Sequence, residues 1–176
     1  LKQAIEASGV TTNPEQNWKV VVSGGDEIVD VENFTEEQIN KLNQFAVDVY
    51  NKLAENIGLS GVVANTKMIE LAKVRSEMYD AKNGPFAHDR TILRKSEEVV
   101  FPNTTVSAGE NLAFDLYRTA PTLREMMENI NSHIYGMTLE DEHSNFGHWS
   151  NFDDAESIGL YIHNEESMDL GGDTDE

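Results

Sequence analysis

Cysteine is absent from this 176-residue chain, and basic residues are scarce: 13 Lys+Arg stand against 32 Asp+Glu, a formal net charge of −19. The first absence excludes disulfides and thiolate chemistry, and leaves the compartment open, since cytosolic proteins and exported proteins of many bacteria both manage without cysteine. The second excludes a nucleic-acid role, because such a charge repels phosphate backbones and no basic cluster offsets it. Anionic membrane surfaces are disfavoured for the same reason. No apolar run approaches the roughly 20 residues that span a bilayer, and the first residues lack a signal-peptide pattern. The chain begins at Leu1 and reads as an excised fragment. Internal repeats and low-complexity tracts are also missing. No serine lies in a Gly-x-Ser-x-Gly context, which makes a triad hydrolase a poor expectation.

The length implies one domain, large enough to bury a core without covalent staples. Charge is unevenly placed: no Lys or Arg follows Arg124, whereas fourteen carboxylates fall between Glu125 and Glu176. Three regions are expected. Residues 1–33 form an N-terminal extension, with a helix end over Leu1–Ser8 and a short strand over Trp18–Ser23. Residues 34–163 form the folded domain. Residues 164–176 form an acidic tail with little to bury, expected to be mobile.

Within the domain, Phe34-Thr35-Glu36-Glu37-Gln38-Ile39 carries a capping box with Thr35 as N-cap, and Phe34 and Ile39 stand as a hydrophobic staple. Ile39, Leu42, Phe45, Ala46, Val49 and Leu53 continue at helical spacing to Gly58, a natural stop. A second helix is predicted from Asn65 or Thr66, burying Met68, Leu71, Ala72 and Met78, and broken at Asn83-Gly84-Pro85. A short helix is predicted over Asp89–Lys95, a strand over Glu98–Phe101, and a helix opening at Pro121 with Leu123, Met126, Met127, Ile130 and Ile134 as its apolar stripe. Ile158–His163 reads as a strand. The pattern is α+β.

Three segments place titratable side chains beside glycine, amide or aromatic neighbours: Phe86-Ala87-His88-Asp89-Arg90, Gly109-Glu110-Asn111-Leu112-Ala113 and Phe146-Gly147-His148-Trp149-Ser150-Asn151-Phe152. Taken singly, a histidine near a helix start is more often a surface or capping residue, and Gly-Glu-Asn is more often a turn. Two neutral imidazoles can hold Zn²⁺ through nitrogen at about 2.0–2.1 Å and leave positions for water. A neighbouring carboxylate can orient an imidazole or act as base on that water. The same groups can equally form a buried hydrogen-bond network. His133 and His143 add histidine density near His148, and a His143-x4-His148 pair is a metal candidate, but two exposed loop histidines are the simpler reading. Ser23-Gly24-Gly25-Asp26 is a turn rather than a phosphate loop. Asp173-Thr174-Asp175 falls short of a calcium loop. Asn33-Phe34-Thr35 and Asn103-Thr104-Thr105 fit the glycosylation sequon, which matters only in a secreting eukaryote. Met126-Met127 is core.

In their order, these segments resemble the CAP superfamily of cysteine-rich secretory, antigen 5 and pathogenesis-related proteins, over about Phe34 to His163. Gly109-Glu110-Asn111 looks like that family's Gly-Glu-Asn motif, Gly147-His148-Trp149-Ser150 like its Gly-His-aromatic-Thr/Ser motif, Phe86-Ala87-His88 like the segment of its first cavity histidine, and Ile158-Gly159-Leu160-Tyr161 like the strand that follows. Val29–Gln38, continuing to Leu42 and Phe45-Ala46, is similar to a cysteine-free bacterial branch, the surface-exclusion-type wall proteins of enterococci and lactic acid bacteria.

The resemblance implies a three-layer α/β/α sandwich with a small, mainly antiparallel sheet, closed by a further strand or by an earlier one such as Trp18–Ser23. It implies a cavity tetrad of His88, Glu110, Glu128 and His148, with Glu125, Glu140, Asp141 and Glu142 as rivals for the Glu128 position. His88 and His148 would be the metal ligands, with Zn²⁺ first and Ca²⁺ or Mg²⁺ as alternatives. The implied function is an extracellular module at a bacterial cell surface or wall, binding a protein, glycan or lipid partner, with surface exclusion or adhesion as its setting. The competing expectation is a metal-assisted hydrolase, a peptidase, with Glu110 or Glu128 as base. A stalk-mounted spacer without a ligand is the third.

Overall fold

The computed structural model describes residues 20–82, 87–117, 119–153 and 155–162. Helix α1, Glu36–Ile57, starts where its capping box predicts: the Thr35 hydroxyl accepts from the Gln38 N–H, and the Gln38 side chain accepts from the Thr35 N–H. It ends at Gly58, whose φ of 72° closes the helix in the left-handed conformation a glycine adopts without a Cβ penalty. Leu42, Phe45, Ala46, Val49 and Leu53 are buried along one face, joined by Tyr50 and Ala54. Two residues of strand, β1 (Val63–Ala64), lead to helix α2, Thr66–Lys82. The Asn65 side chain caps α2, accepting from the Lys67 N–H at 2.8 Å. The buried positions of α2 are Leu71, Arg75, Ser76 and Tyr79, so its inward face carries a guanidinium rather than a continuous apolar stripe. The predicted break at Asn83-Gly84-Pro85 lies outside the described residues.

Helix α3 runs Arg90–Val100. It takes in Glu98–Val100 of the stretch read as a strand over Glu98–Phe101, with Phe101 as its C-cap, correcting that expectation. Ile92, Ser96 and Val100 recur every four residues on the buried face, and α3 packs against α2 on that face. A β-branched pair such as Val99-Val100 is compatible with either state, and packing decides between them. Asp89 caps α3, its Oδ1 accepting from the Ile92 N–H at 3.0 Å, while Oδ2 lies 2.6 Å from the Lys82 Nζ. The Lys82 hydrogen bond, then the Ile92 N–H, hold the Asp89 carboxyl below its ordinary value of 3.8. A depressed folded-state pKa means a contribution to stability that is complete above the ordinary value and lost as pH falls through the lowered one. Thermal melting below pH 3.8 is therefore expected to fall more steeply for the parent than for Asp89→Asn. Parallel curves would show that this pair does not couple to folding.

Helix α4, Leu123–Leu139, opens with a second capping box, Thr122 with Glu125, just after Pro121. Leu123, Met126, Ile130 and Ile134 are buried, and α4 packs directly on α1. A 3₁₀ turn, Asp141–Ser144, leads into the short helix α5, Gly147–Asp153, and the two-residue strand β2, Ser157–Ile158. From α5, Trp149 and Phe152 enter the core, where Phe152 stacks on Tyr50 with ring centroids 5.1 Å apart. The Tyr50 hydroxyl donates to the Phe152 carbonyl at 3.2 Å.

The expected sandwich is corrected. Among the described residues the sheet has two strands, parallel, in register Val63↔Ser157 and Ala64↔Ile158. The architecture is helical, with five α-helices and no central antiparallel layer among the described residues. Direct α1–α4 packing fills the space such a layer needs. In the described part of the strand predicted over Ile158–His163, pairing is confined to the start, and beyond it the Leu160 N–H donates to the buried Asn43 Oδ1 at 2.6 Å and the Leu160 C=O accepts from Asn43 Nδ2 at 2.9 Å. One amide thus takes the place of a neighbouring strand. The described part of Trp18–Ser23 forms no strand.

Residues 25–29 belong to the packed body. Val29 is fully buried, its N–H donates to the Pro121 carbonyl at 2.8 Å, and the Leu123 and Arg124 N–H groups donate back to Glu27 and Gly25. Gly25, at φ +77°, lies so close to the Arg124 backbone that a Cβ would sit 2.9 Å from its nitrogen. The helix expected over Leu1–Ser8 and the acidic tail 164–176 lie outside the described residues.

Candidate metal centre

Two polar clusters are built from the three chemistry-bearing segments, and two asparagines join them. The first centres on Glu110, whose side chain is 12% exposed. Its Oε2 lies 2.5 Å from Nε of Arg75, its Oε1 accepts from Nη2 of Arg75 at 3.3 Å, and Oε1 is 2.8 Å from Nδ1 of His88. Arg75 is held by α2, where its guanidinium lies 4.4 Å over the Tyr79 ring and also donates to the Ala87 carbonyl at 3.1 Å. The Tyr79 hydroxyl in turn accepts from the Ala87 N–H at 2.8 Å. His88 is thereby set at the mouth of α3 with its side chain 56% exposed.

The second cluster centres on Asp141, which has no solvent-accessible surface. Its Oδ1 is 2.6 Å from Nδ1 of His148, and its Oδ2 accepts from the Trp149 N–H at 3.0 Å. Burial by itself would raise the Asp141 carboxyl, but the polar contacts of Ser144, His148 and the Trp149 N–H outweigh it, and the net shift is downward. The chain returns onto Asp141 through two consecutive left-handed residues, Asn145 at φ 55° and Phe146 at φ 62°. For a bulky residue such as Phe146 that conformation costs about 1–2 kcal/mol. It is held by the Phe146 N–H donating to the Asp141 carbonyl at 3.0 Å, and it brings Gly147-His148 back over the carboxylate.

The amides connect the clusters. Asn111 Nδ2 donates to the His148 carbonyl at 3.1 Å, and Asn151 Nδ2 donates to the Glu110 carbonyl at 3.1 Å and to Asn111 Oδ1 at 2.8 Å. Gly109 lies so close to Asn151 that a Cβ would meet its Cγ at 2.7 Å. The Gly-Glu-Asn and Gly-His segments therefore meet along their backbones, although their side chains enter different clusters.

Of the four expected site residues, His88 and Glu110 pair with each other, and His148 pairs with Asp141, one of the rivals weighed for the fourth position. Glu128 is exposed on α4, and its main-chain carbonyl accepts from the Ser132 hydroxyl. Among the described residues, the group whose ligand atoms fall within 4.8 Å of one another is Asp141, His143 and His148, and His88 is not in it. This group can hold a metal ion.

His143 was the residue that pattern reading set aside as an exposed loop histidine. Its ring lies 6.1 Å from that of His148, and its Nδ1 is 3.1 Å from the Glu140 carbonyl. That carbonyl and the ionised Asp141 carboxylate can only accept, so both histidines carry their proton on Nδ1. In the neutral form of each ring, Nε2 is then the nitrogen open to a cation. The His143-x4-His148 spacing was the signal, and the partner that gives it force, Asp141, is visible only in the fold. No family model matches this chain, and neither a curated protein nor a solved structure matches it.

Proposed function

We propose that this chain is a binding module of a bacterial surface protein, in which His143 and His148 hold a divalent cation and Asp141 orients His148. The observation that carries this reading is the double Nδ1 anchoring, by Asp141 Oδ1 at 2.6 Å and the Glu140 carbonyl at 3.1 Å, which fixes both rings in the ligand-ready tautomer. A carboxylate behind a metal-bound histidine is a recurrent arrangement that raises ligand basicity and sets ring orientation. Paired imidazoles favour Zn²⁺ over Ca²⁺ and Mg²⁺, which prefer oxygen. Two protein nitrogens leave positions for water or for a donor group of the partner, a protein, glycan or lipid at the cell surface. The extracellular setting rests on the motif order that resembles the CAP superfamily.

Binding is favoured over peptidase chemistry by the state of Glu110. Both of its oxygens are engaged by Arg75 and His88, so it is committed to a structural ion pair rather than to activating water. After dialysis against Zn²⁺ and gel filtration, the parent is expected to retain about one equivalent, His143→Ala and His148→Ala to retain less than a tenth of that, and His88→Ala to match the parent. A parent that retains none, or a His143→Ala/His148→Ala double variant that retains it all, would remove the centre. Peptide cleavage abolished by a chelator would replace binding with hydrolysis.

A further inference from the structure

A groove of about 1390 Å³ lies between the 155–162 segment, the extended stretch 106–117 and the inner side of α4, and none of His88, His143 and His148 lines it. Its wall at 156–162 begins with β2 and has one satisfied edge. The Glu156 and Ile158 carbonyls accept from Val63 and Asn65 on the β1 side, and Leu160 is bound through both main-chain groups by Asn43. Main-chain groups of successive residues in an extended chain point to opposite edges. Ser157, Gly159 and Tyr161 therefore direct their N–H and C=O groups to the other edge, where they have no backbone partner among the described residues. All three line the groove.

The stretch facing them, Val106 to Ala113, likewise makes no backbone-to-backbone hydrogen bond among the described residues. At the margins, Ile28 and Leu116 are 71% and 63% exposed, and deeper in, Ile130 and Ile134 supply an apolar floor. The wall is predominantly acidic: it includes Asp30, Glu32, Asp115 and Glu156, against Arg75, which is covered by Glu110, and His133, which lies 2.8 Å from Asp115.

From this geometry we infer that the groove takes an extended, basic peptide segment of a partner protein, which adds as a strand along the 157–161 edge. An open edge supplies main-chain pairing, an apolar floor accepts every second side chain, and the carboxylates select Lys and Arg on the others. Charge disfavours two other occupants. The chain's own residues 164–176 carry six carboxylates and no Lys or Arg, and a second copy brings another net −19. The inference is independent of the metal centre.

The test is fluorescence anisotropy with a labelled Lys-Val-Lys-Val-Thr-Val-Lys peptide, in the presence of chelator. Binding is expected to weaken at least tenfold when alternate peptide nitrogens are methylated, and to disappear when glutamate replaces lysine. Ser157→Pro, which removes one groove-facing N–H while leaving the β1 pairing of Glu156 and Ile158 intact, is expected to weaken it to a similar degree. Should that variant fail to fold, as read by circular dichroism, the methylated peptide on the parent protein decides. Absence of binding, equal binding of the methylated peptide, or equal binding of the glutamate peptide overturns the inference. So does a sedimenting dimer that Ser157→Pro dissociates, since the occupant would then be a second copy.

Discussion

Truncation of Glu110 to alanine is expected to cost the fold about 3–5 kcal/mol, the usual penalty for stranding one member of a buried ion pair. Arg75 and Glu110 have side chains 7% and 12% exposed, and without the carboxylate the guanidinium keeps the Ala87 carbonyl and the Tyr79 ring as its neighbours. Those contacts do not neutralise a buried charge. Urea denaturation gives the measurement, with the midpoint shift read at constant slope. Replacing both partners by apolar residues, Arg75→Met with Glu110→Leu, is expected to recover most of the loss, because a desolvated pair is close to neutral against a well-packed apolar one. His88→Ala, at a 56% exposed side chain, should change stability by no more than about 0.5 kcal/mol. An alanine variant at position 110 as stable as the parent would show that the carboxylate is not the counter-charge of Arg75. Glu110 would then be free for other chemistry.

The second large effect is expected at Asp141, where asparagine should lower Zn²⁺ affinity about 10–100-fold. The carboxylate accepts twice, from His148 and from the Trp149 N–H. An amide has a single acceptor oxygen, and placing its NH₂ against His148 forces the imidazole into the opposite tautomer. Nε2 then carries the proton and its lone pair is lost to the metal. Competition with a chromophoric chelator measures the affinity, and the nitrogen chemical shifts of His148 report the tautomer directly. A variant with unchanged tautomer and unchanged affinity would mean that Asp141 acts only as a packing residue. The depressed carboxyl pKa adds a condition: the acceptor is ionised throughout the neutral range.

How far the sequence could be read varies with the range of the interaction. The start of α1 was legible because Thr35 and Gln38 satisfy each other three residues apart, and its end because Gly58 can adopt positive φ. The stripe of α4 was legible in the same way, save that Met127 is only partly buried. Val99-Val100 was misread as strand because two β-branched residues carry no period, and only the face shared with Ile92 and Ser96 puts them in a helix. The antiparallel layer inferred by resemblance is absent among the described residues, since α1 and α4 close directly on each other. His88, Glu110 and His148 were picked out from their neighbours, and His88 does pair with Glu110, but Arg75 was not foreseen and Asp141 was only a rival. Arg75 lies 35 residues from Glu110, and nothing in the pattern of α2 marks a guanidinium as an inward residue. Asp141 was one of five acids considered for a single place.

Composition alone settles the charge and the absence of disulfides, and short-range hydrogen bonding settles where the main helices begin. These depend on residues within a turn of one another. Which carboxylate meets which imidazole was decided by chain closure: the 3₁₀ turn, the left-handed Asn145-Phe146 pair and the Asn111–Asn151 clamp together deliver His148 to Asp141 and leave His88 to Glu110. A hydrogen bond is lost with an ångström of misplacement. Proximity on that scale comes from the packing of the whole chain.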